Sequence, residues 1–554
     1  MKLKRFAVLG AVTATAVAAT PKVKIGRTTV VGRENATAGV DFFGGIPFAE
    51  PPVGSLRFRS PILKTRYTET TLSRQAAMER RVFNRCVHDR SVVVTASLNR
   101  KKLKPLVIPL ADTSEDCLSI NVVGPTGTRI GDKLPVLRRV GTPVIYVNFN
   151  YRLGPFGFPQ GQEGDCDSRL LFHSVAHRRG LVAHDRRELN LGMKDVTAAL
   201  EWVHANINFF GGDKNKITIF GESAGAITIG ILYLNRQFEK LVRGAALTPP
   251  LCEIFQSGSS NSLPLCTAAE RESEWQAFVR AIPSCANLAT SGNTFACLQN
   301  ATREEIAGNY LNSLGPNFMV DMVFSPTRDR GPGSLLPEIP SRLYSQGKFA
   351  RIPYIAGTNL DEGTLFATSD GNADLEAGIV ASVSPPLVDS TQFEQAIDGL
   401  MEQYPDVPAL GSPYNTGDEL FGFPSVYKRH SAIPGIELEV LAEGDMLFDA
   451  PRRQWMQATA QRGVKSYGYL FTHPHPGPLG VLHAAEIPFV YGPPPDPLAA
   501  AQSLSVAMVD YWISFTDSLD PNDGKGVQRP VWPSYTNRNQ RLAYLISNAL
   551  AFRR

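Results

Sequence analysis

The chain has 554 residues, of which 43% are hydrophobic and 19% are charged, and its formal net charge is +4. This composition is that of an ordinary soluble globular protein and excludes a disordered or fibrous chain. Nine Lys and Arg residues stand against two acidic residues between positions 74 and 104. This basic tract lacks the interleaved aromatic side chains of a nucleic-acid surface, so no nucleic-acid partner is expected.

The N-terminus has the order of a secretory signal. Three basic residues lie within the first five, an apolar run covers residues 6–17, and small residues follow. We therefore predict a signal peptide over residues 1–19, a secreted, extracellular protein, and a single domain over residues 20–554. The apolar run is too short to span a bilayer, so no stable membrane insertion is expected. Asn35 and Asn300 begin Asn-x-Thr sequons and are candidate glycosylation sites.

Several motifs follow the signal in a defined order. They occupy residues 42–54, 114–122, 143–158 and 190–195. Dense apolar runs at residues 143–149 and 217–220 predict strands that are buried on both faces. Between these runs, residues 191–207 carry apolar side chains at helical spacing, which predicts a crossover helix.

Residues 221–225 read Gly-Glu-Ser-Ala-Gly, the most informative pattern in the chain. A β-prone run leads into this pentapeptide and a helix-compatible run leaves it, which is the context of a nucleophile elbow. Such a sharp turn leaves no room for side chains beside the nucleophile, so glycine fits at both ends. The pattern predicts that Ser223 is an exposed nucleophile and that the Ala224 N–H, at the start of the helix, is an oxyanion donor.

Together, these motifs resemble the type-B carboxylesterase and lipase family, which also contains the cholinesterases. The resemblance extends from about residue 23 to the C-terminus. It implies an α/β-hydrolase fold, with a central, mostly parallel sheet flanked by helices. It also implies a secreted serine hydrolase that cleaves carboxylic esters, either small-molecule or lipid, through an acyl-enzyme and without a cofactor.

The acid of a catalytic triad follows the serine in this fold, and the histidine comes last. Glu362 follows a strand-like run and matches the family's triad acid. Its neighbour Asp361 is the alternative, although that residue is more typical of a turn or a cap. Glu222 stands directly before the serine, either as an electrostatic partner of the site or as a buried carboxylate with a structural hydrogen bond. Both interpretations stay open.

His483 occupies the position of the family's catalytic histidine. His473 and His475 are its nearest competitors, but both lie in a proline-rich stretch for which solvent exposure is the simpler expectation. Their close spacing could also suggest a metal site. No third ligand lies in a recognisable pattern, so no metal is expected.

Seven cysteines in a secreted chain favour disulfides. The motifs around Cys117 and Cys285 suggest the pairs Cys86–Cys117 and Cys285–Cys297. This pairing leaves three cysteines unpaired, namely Cys166, Cys252 and Cys266. No tryptophan lies between Cys86 and Cys117, where cholinesterase-like members hold a quaternary ammonium group, so choline esters are not expected as substrates.

The sequence departs from the family pattern after Leu137. A Gly-rich turn that should supply oxyanion donors is absent, and the chain runs directly into the next strand at Pro143. Three segments are unlike the family, at residues 87–109, 164–185 and 247–253. We interpret these departures as errors of the gene model, with lineage-specific loops as the alternative. The activity of this chain is therefore expected to be impaired.

A second function class is a catalytically inactive binding or adhesion protein on the same scaffold. The missing turn after Leu137 favours it. The presence of all three triad residues argues against it, because a binding module needs no complete triad. Turnover of a simple aryl ester discriminates between the two classes.

Overall fold

A computed structural model describes the greater part of the chain. The described residues are 20–73, 114–136, 143–165, 189–235, 238–239, 252–263, 265–313, 323–329, 333–365, 390–403, 407–417, 444–474, 477–546 and 551–553. The predicted signal peptide, the segment 87–109 and most of the segment 164–185 lie outside them. No helix of this described part is long and apolar enough to cross a membrane.

The strands of the described part are numbered in chain order. They are β1 Lys22–Ile25, β2 Thr28–Val31, β3 Arg33–Asn35, β4 Val40–Pro47, β5 Thr71–Leu72, β6 Ser119–Pro125, β7 Leu134–Val136, β8 Tyr146–Phe149, β9 Gly212–Glu222, β10 Cys252–Gln256, β11 Tyr354–Asn359, β12 Ser466–Phe471, β13 Leu542–Leu545 and β14 Ala551–Arg553. The α-helices are α1 Gly154–Gly157, α2 Leu191–Asn206, α3 Ala224–Tyr233, α4 Glu272–Ala281, α5 Phe295–Asn300, α6 Arg303–Ser313, α7 Pro340–Ser345, α8 Ser390–Gln403, α9 Ala450–Ala460, α10 Ile487–Tyr491 and α11 Ala499–Ser518.

The largest sheet of the described part has seven strands in the order β14-β13-β12-β11-β10-β9-β7. All of its strand pairs are parallel except β13–β14. Every residue of β10 and β11 is buried. This fits the apolar residues Ile254, Phe255, Tyr354 and Ile355, because central strands of a sheet covered on both faces are rich in apolar side chains.

A second, antiparallel sheet has the order β3-β4-β6-β8. Its last strand begins at Tyr146, three residues later than the apolar run 143–149 predicts. Pro143 begins that run, and a proline has no N–H to donate to a ladder. A third, smaller sheet has the order β1-β2-β5.

Two hydrophobic clusters cover the two faces of the large sheet. Consecutive residues of β11 belong to different clusters, with Tyr354 in one and Ile355 in the other. This follows from strand geometry, in which successive side chains point to opposite faces of the sheet. The first cluster includes side chains of α2 and α3, and the second includes those of α11. The helix predicted over residues 191–207 is confirmed as α2.

The strand β10 begins within the segment 247–253, which the sequence analysis found unlike the family. It starts at Cys252 and pairs with β9 and β11, whereas residues 247–251 lie outside the described residues. Glu253 is consequently fully buried inside the sheet. Among the described residues, neither oxygen of its carboxylate has a hydrogen-bond partner. This strand therefore carries an acidic residue that its surroundings do not accommodate.

Candidate active site

The sharp turn between β9 and α3 holds Ser223 in a strained backbone conformation, with φ 53° and ψ −120°. Its N–H donates to the Gln256 carbonyl at 2.9 Å, which fixes the turn against β10. A Cβ atom on Gly221 would lie only 2.6 Å from the Gly225 carbonyl carbon, so the packing itself requires glycine at position 221. The prediction that the turn leaves no room for a side chain holds at position 221 but is wrong at position 225, where a Cβ atom would meet nothing within 4 Å. Backbone strain of the kind seen at Ser223 concentrates at functional sites.

His483 and Glu362 are brought together from loops 121 residues apart in sequence. The His483 Nδ1 lies 2.6 Å from the Glu362 Oε2, and both side chains are buried. The second oxygen of Glu362 accepts the N–H of Asn359 at 2.7 Å. This arrangement orients the imidazole through its Nδ1 and leaves Nε2 to face the elbow.

On its other side, His483 Nε2 lies 3.2 Å from Glu222 Oε1. In the part of the chain that the structure describes, no hydrogen bond joins the Ser223 Oγ to His483. Catalytic hydrogen bonds are often long in unliganded enzymes and tighten when substrate binds. Of the two interpretations of Glu222 left open by the sequence, the geometry favours the electrostatic partner of the histidine.

The surroundings of His483 and Glu222 raise the pKa values of both side chains. Burial alone lowers the pKa of His483, but the negative charges of Glu362, Glu222 and Glu486 outweigh burial and raise the pKa to about 9. Burial also raises the pKa of Glu222 to about 8, with His483 opposing and the other two glutamates adding to the shift. The site therefore favours a protonated imidazole near neutral pH.

Glu486 is a buried residue of the site whose role the sequence did not reveal. It is fully buried, and its two oxygens accept from Gln256 Nε2 at 2.8 Å and from Asn359 Nδ2 at 2.6 Å. Burial is the main cause that raises its pKa. Glu486 thus links β10 and β11 behind the triad. Its position three residues after His483, in the same motif, is the only signal that the sequence offers.

Asp361, the alternative acid, forms hydrogen bonds with residues other than His483. Its carboxylate accepts hydrogen bonds from Ser412 Oγ at 2.7 Å, from the Tyr414 N–H at 2.8 Å and from the Val481 N–H at 2.7 Å. These bonds join three loops. The carboxylate thus holds loops together over long sequence distances, a role different from the turn or cap that the sequence favoured.

The expectation that His473 is exposed is wrong. This side chain is buried, its Nε2 lies 3.1 Å from Asp496 Oδ2, and its ring packs 4.9 Å from that of Phe489. The proline-rich stretch suggested exposure, but contacts with residues distant in sequence cover the ring. His475 lies outside the described residues.

The predicted oxyanion donor Ala224 is exposed at the first position of α3, where N–H groups have no partner within the helix. Gly45, a glycine of the motif at residues 42–54, could also be considered as a donor. Its N–H donates to Asn121 Oδ1 at 2.8 Å and is therefore not available to an oxyanion. Residues 137–142, which follow β7, lie outside the described residues. The position of Ala224 at the start of α3 is compatible with the predicted role of its N–H as an oxyanion donor.

The structure contains the disulfide Cys285–Cys297, with an S–S distance of 1.96 Å and a Cα–Cα distance of 5.8 Å. Cys117 is also disulfide-bonded. Its predicted partner Cys86 lies outside the described residues, and so does Cys166. The two other cysteines of the described part, Cys252 and Cys266, are free thiols.

The sequon residues Asn35 and Asn300 are both exposed, as attachment of a glycan requires. The described residues contain no group of three or more His, Cys, Asp or Glu side chains arranged to hold a metal ion.

A mostly parallel sheet with a strained serine between strand and helix defines an α/β-hydrolase. The chain is similar over 97% of its length to two solved structures, EstA of Aspergillus niger (TM-score 0.70, 23% identity, 95% of that chain) and a PNB esterase (TM-score 0.67, 23% identity, 97% of that chain). The model of the carboxylesterase family matches residues 19–140 and 182–551. The chain belongs to this family and is a carboxylic ester hydrolase.

Two curated relatives are fungal lipases. A secreted triacylglycerol lipase of Gibberella zeae is 30% identical, over 96% of this chain and 87% of the relative. A secreted lipase of Botryotinia fuckeliana is 28% identical, over 95% of this chain and 89% of the relative.

Proposed function

We propose that the chain cleaves carboxylic esters through an acyl-enzyme, with Ser223 as nucleophile, His483 as base and Glu362 as the acid that orients the base. The observation that carries this proposal is the 2.6 Å contact between His483 and Glu362, with His483 Nε2 lying 3.2 Å from Glu222, the residue before the strained Ser223. A binding protein without activity has no need of this arrangement.

The reaction has two balanced halves. The Ser223 Oγ attacks the ester carbonyl while His483 Nε2 takes the hydroxyl proton, and the same proton then passes to the departing alcohol. Water next attacks the acyl-enzyme, giving its proton to His483 and releasing the carboxylic acid as the serine recovers its proton. Glu362 stabilises the imidazolium in both halves. No cofactor takes part.

The oxyanion of each tetrahedral intermediate receives one hydrogen bond from the Ala224 N–H in this proposal. A second donor should come from a Gly-rich turn after β7, and the sequence has none there. Loss of one donor typically lowers the rate by about 100- to 1000-fold. We therefore propose that this chain is a slow esterase.

The proposed location is extracellular, after removal of a signal peptide over residues 1–19. The names of the two fungal relatives, both called secreted lipases, support this location and make acylglycerols the first substrates to test beside simple esters. The sequons at Asn35 and Asn300, both exposed, are the proposed glycan sites.

The test is turnover of an aryl ester by the purified chain and by Ser223→Ala, with Ser345→Ala, at an exposed serine of α7, as the matched control. The proposal expects weak turnover by the wild type and by Ser345→Ala, and none above background by Ser223→Ala. Equal turnover by all three proteins would refute it. No turnover by any of them would favour the inactive binding protein.

A further inference from the structure

A basic cavity of ≈ 410 Å³ lies beside α9, on the face of the large sheet that the first hydrophobic cluster covers. This volume is in the usual range for small-molecule sites. The walls come from the first turn of α9 and from the chain that leads from α11 into β13, and their polar residues are Arg452, Arg453, Tyr535, Asn537, Arg538 and Gln540. These residues belong to the stretches 444–474 and 477–546, which the structure describes without a break. The walls are therefore described together with their neighbours along the chain.

Three arginines determine the charge of the cavity. Among the described residues, no aspartate or glutamate lines it. Arg452 Nη2 pairs with Asp449 Oδ1 at 2.8 Å, whereas Arg453 and Arg538 are exposed and form no ion pair within the described part. Three positive charges and the one negative charge of Asp449 leave a formal net charge of +2. The cavity therefore attracts anions.

Arg452 is buried, at 8% exposure, and its guanidinium group is incompletely paired. Its Nη1 faces the sulfur of Met456 at 3.8 Å, and a thioether is a weak acceptor. Its Nε is buried and has no hydrogen-bond partner in the part of the chain that the structure describes. Burying the donors of a charged group is unfavourable unless strong acceptors meet them. Arg452 therefore has donors left for a further acceptor.

Tyr535 and Asn537 add neutral donors to the walls. Burial raises the pKa of the Tyr535 hydroxyl, while the charges of Arg452 and Arg453 lower it, so both guanidinium groups lie near this hydroxyl. The side chain of Asn537 is exposed and forms no hydrogen bond with a described residue. A hydroxyl and an amide both donate hydrogen bonds to oxygen acceptors. The cavity thus combines positive charge with neutral hydrogen-bond donors.

The net charge and the donors together favour one class of anion. Arginine forks match the geometry of carboxylates and of phosphates, so geometry alone does not separate the two. A phosphate group, however, carries a charge of about −1.5 to −2 at pH 7 and has three acceptor oxygens, whereas a carboxylate has a single charge and two oxygens. The phosphate group matches the net charge of +2 and the three arginines. The cavity therefore favours a phosphate over a carboxylate.

We propose that this cavity binds a phosphate dianion, either inorganic phosphate or a phosphate monoester, held by Arg452, Arg453 and Arg538. The volume leaves room for an organic group on the phosphate. The same chemistry occurs in a soluble monoester and in the head group of phosphatidic acid at a lipid surface. No triad residue lines the described walls of the cavity, so the inference does not rest on the proposed function.

The probe is phenyl phosphate, and its matched control is benzoate, which has the same ring and a carboxylate in place of the phosphate. Isothermal titration calorimetry of the full chain should show that phenyl phosphate binds at least tenfold more tightly than benzoate. Inorganic phosphate should displace phenyl phosphate. Measurable but equal affinities of the two ligands would overturn the proposal.

Flotation with vesicles distinguishes the two sources of the phosphate. One set of vesicles contains phosphatidylcholine alone, and the other contains an equal mixture of phosphatidylcholine and phosphatidic acid. Binding of phenyl phosphate without capture by the mixed vesicles supports a soluble ligand. Capture by the mixed vesicles alone, blocked by inorganic phosphate, supports a lipid head group. If neither phenyl phosphate nor the mixed vesicles bound the chain, the proposal would be wrong.

A double variant with Arg453→Gln and Arg538→Gln should weaken phosphate binding at least tenfold, because it removes two of the three positive side chains of the walls. The matched control combines Arg66→Gln with Arg280→Gln, at exposed positions elsewhere, and removes the same net charge. This control should bind phosphate as the wild type does. An equal loss in both double variants would show that only the overall charge attracts phosphate, which contradicts a site in the cavity.

Chemical modification locates the phosphate without a variant. Phenylglyoxal reacts with accessible arginines, and mass spectrometry measures the extent of reaction at each of them. Inorganic phosphate should slow the modification of Arg453 and Arg538 at least fivefold and leave the rate at Arg280 unchanged. Unchanged rates at all three arginines, or equal protection of all three, would overturn the proposal.

Discussion

Three glutamates surround one imidazole at the centre of the candidate site. Glu362 contacts His483 Nδ1 at 2.6 Å, Glu222 contacts Nε2 at 3.2 Å, and Glu486 lies buried behind them. Burial and the neighbouring carboxylates raise the pKa values of Glu222 and Glu486, and the negative charges around the imidazole favour the protonated form of the histidine. The residues that orient the proposed base therefore also hold its proton more tightly.

The pH dependence of ester turnover should report this balance. A general base must be unprotonated, and the pKa of His483 is about 9, so kcat/KM of the wild type should increase up to about pH 9. The variant Glu222→Gln removes one charge that raises this pKa, so its acidic limb should lie at lower pH. Rate profiles of an aryl ester measure both effects.

The control for this shift is Glu304→Gln, at an exposed glutamate that pairs with Arg303. Its profile should coincide with that of the wild type. A profile of Glu222→Gln that also coincides with the wild type would contradict the electrostatic role of Glu222.

At the scale of the secondary-structure element, β10 combines a buried sheet position with an acidic side chain. Burial raises the pKa of Glu253 well above its usual value of 4.5, so the folded chain holds this carboxyl protonated. Because the unfolded chain releases the proton above about pH 4.5, the free energy of unfolding falls as pH rises from there towards the raised pKa.

We predict that Glu253→Met stabilises the protein. Methionine adapts to irregular core space and leaves no polar group unpaired, so the free energy of unfolding should increase by roughly 1–3 kcal/mol near neutral pH. The gain should shrink towards pH 4.5. Chemical denaturation at several pH values measures both effects, with Glu274→Met on α4 as the control. If the gain in the free energy of unfolding did not depend on pH, the prediction that Glu253 is a buried carboxyl with a raised pKa would be contradicted.

The disulfide Cys285–Cys297 joins the segment that follows α4 to α5, across 12 residues. Replacing both cysteines by serine should lower the free energy of unfolding by about 2–4 kcal/mol, because the unfolded chain regains the freedom of a closed loop. Denaturant unfolding of the double variant measures this loss. Cys266→Ser, at a free thiol, should change stability little. An equally stable double variant would show that the bridge makes no contribution.

Local sequence patterns predicted the elements that carry the site. The elbow at Ser223 and the helix α2 follow from glycine placement and apolar spacing, which are local properties. The role of Glu486, the burial of His473 and the start of β10 at Cys252 depend on contacts between residues far apart in sequence. Only the folded chain brings Glu486 to Gln256, 230 residues away, so no local pattern could have revealed this contact.

At the scale of the whole molecule, one cavity is lined by Tyr146–Phe149 of β8 and by residues 217–220 of β9, and Gly225 of the elbow also lines it. The expected Gly-rich turn after Leu137 would follow β7, which pairs with β9 as far as Ile217. In this account, the incomplete oxyanion site results from the missing segment after β7.

Restoring that segment should restore activity. A chain with an apolar strand extension and a Gly-rich turn inserted after Leu137 should hydrolyse an aryl ester at least 100-fold faster, because one further donor is typically worth about 100- to 1000-fold. An insertion of equal length with prolines in place of the glycines supplies no N–H and is the control. Full activity of the chain without any insertion would show that another loop completes the oxyanion site.

The central claim is that Ser223 is a nucleophile activated by His483. The most direct measurement is mass spectrometry of the purified chain after reaction with a fluorophosphonate, which reacts with an activated serine and needs no complete oxyanion site to be detected. We predict a single adduct, mapped to the peptide that contains Ser223, and its loss in His483→Ala. An adduct on a different serine, or an unmodified Ser223 in the folded wild type, would contradict the account.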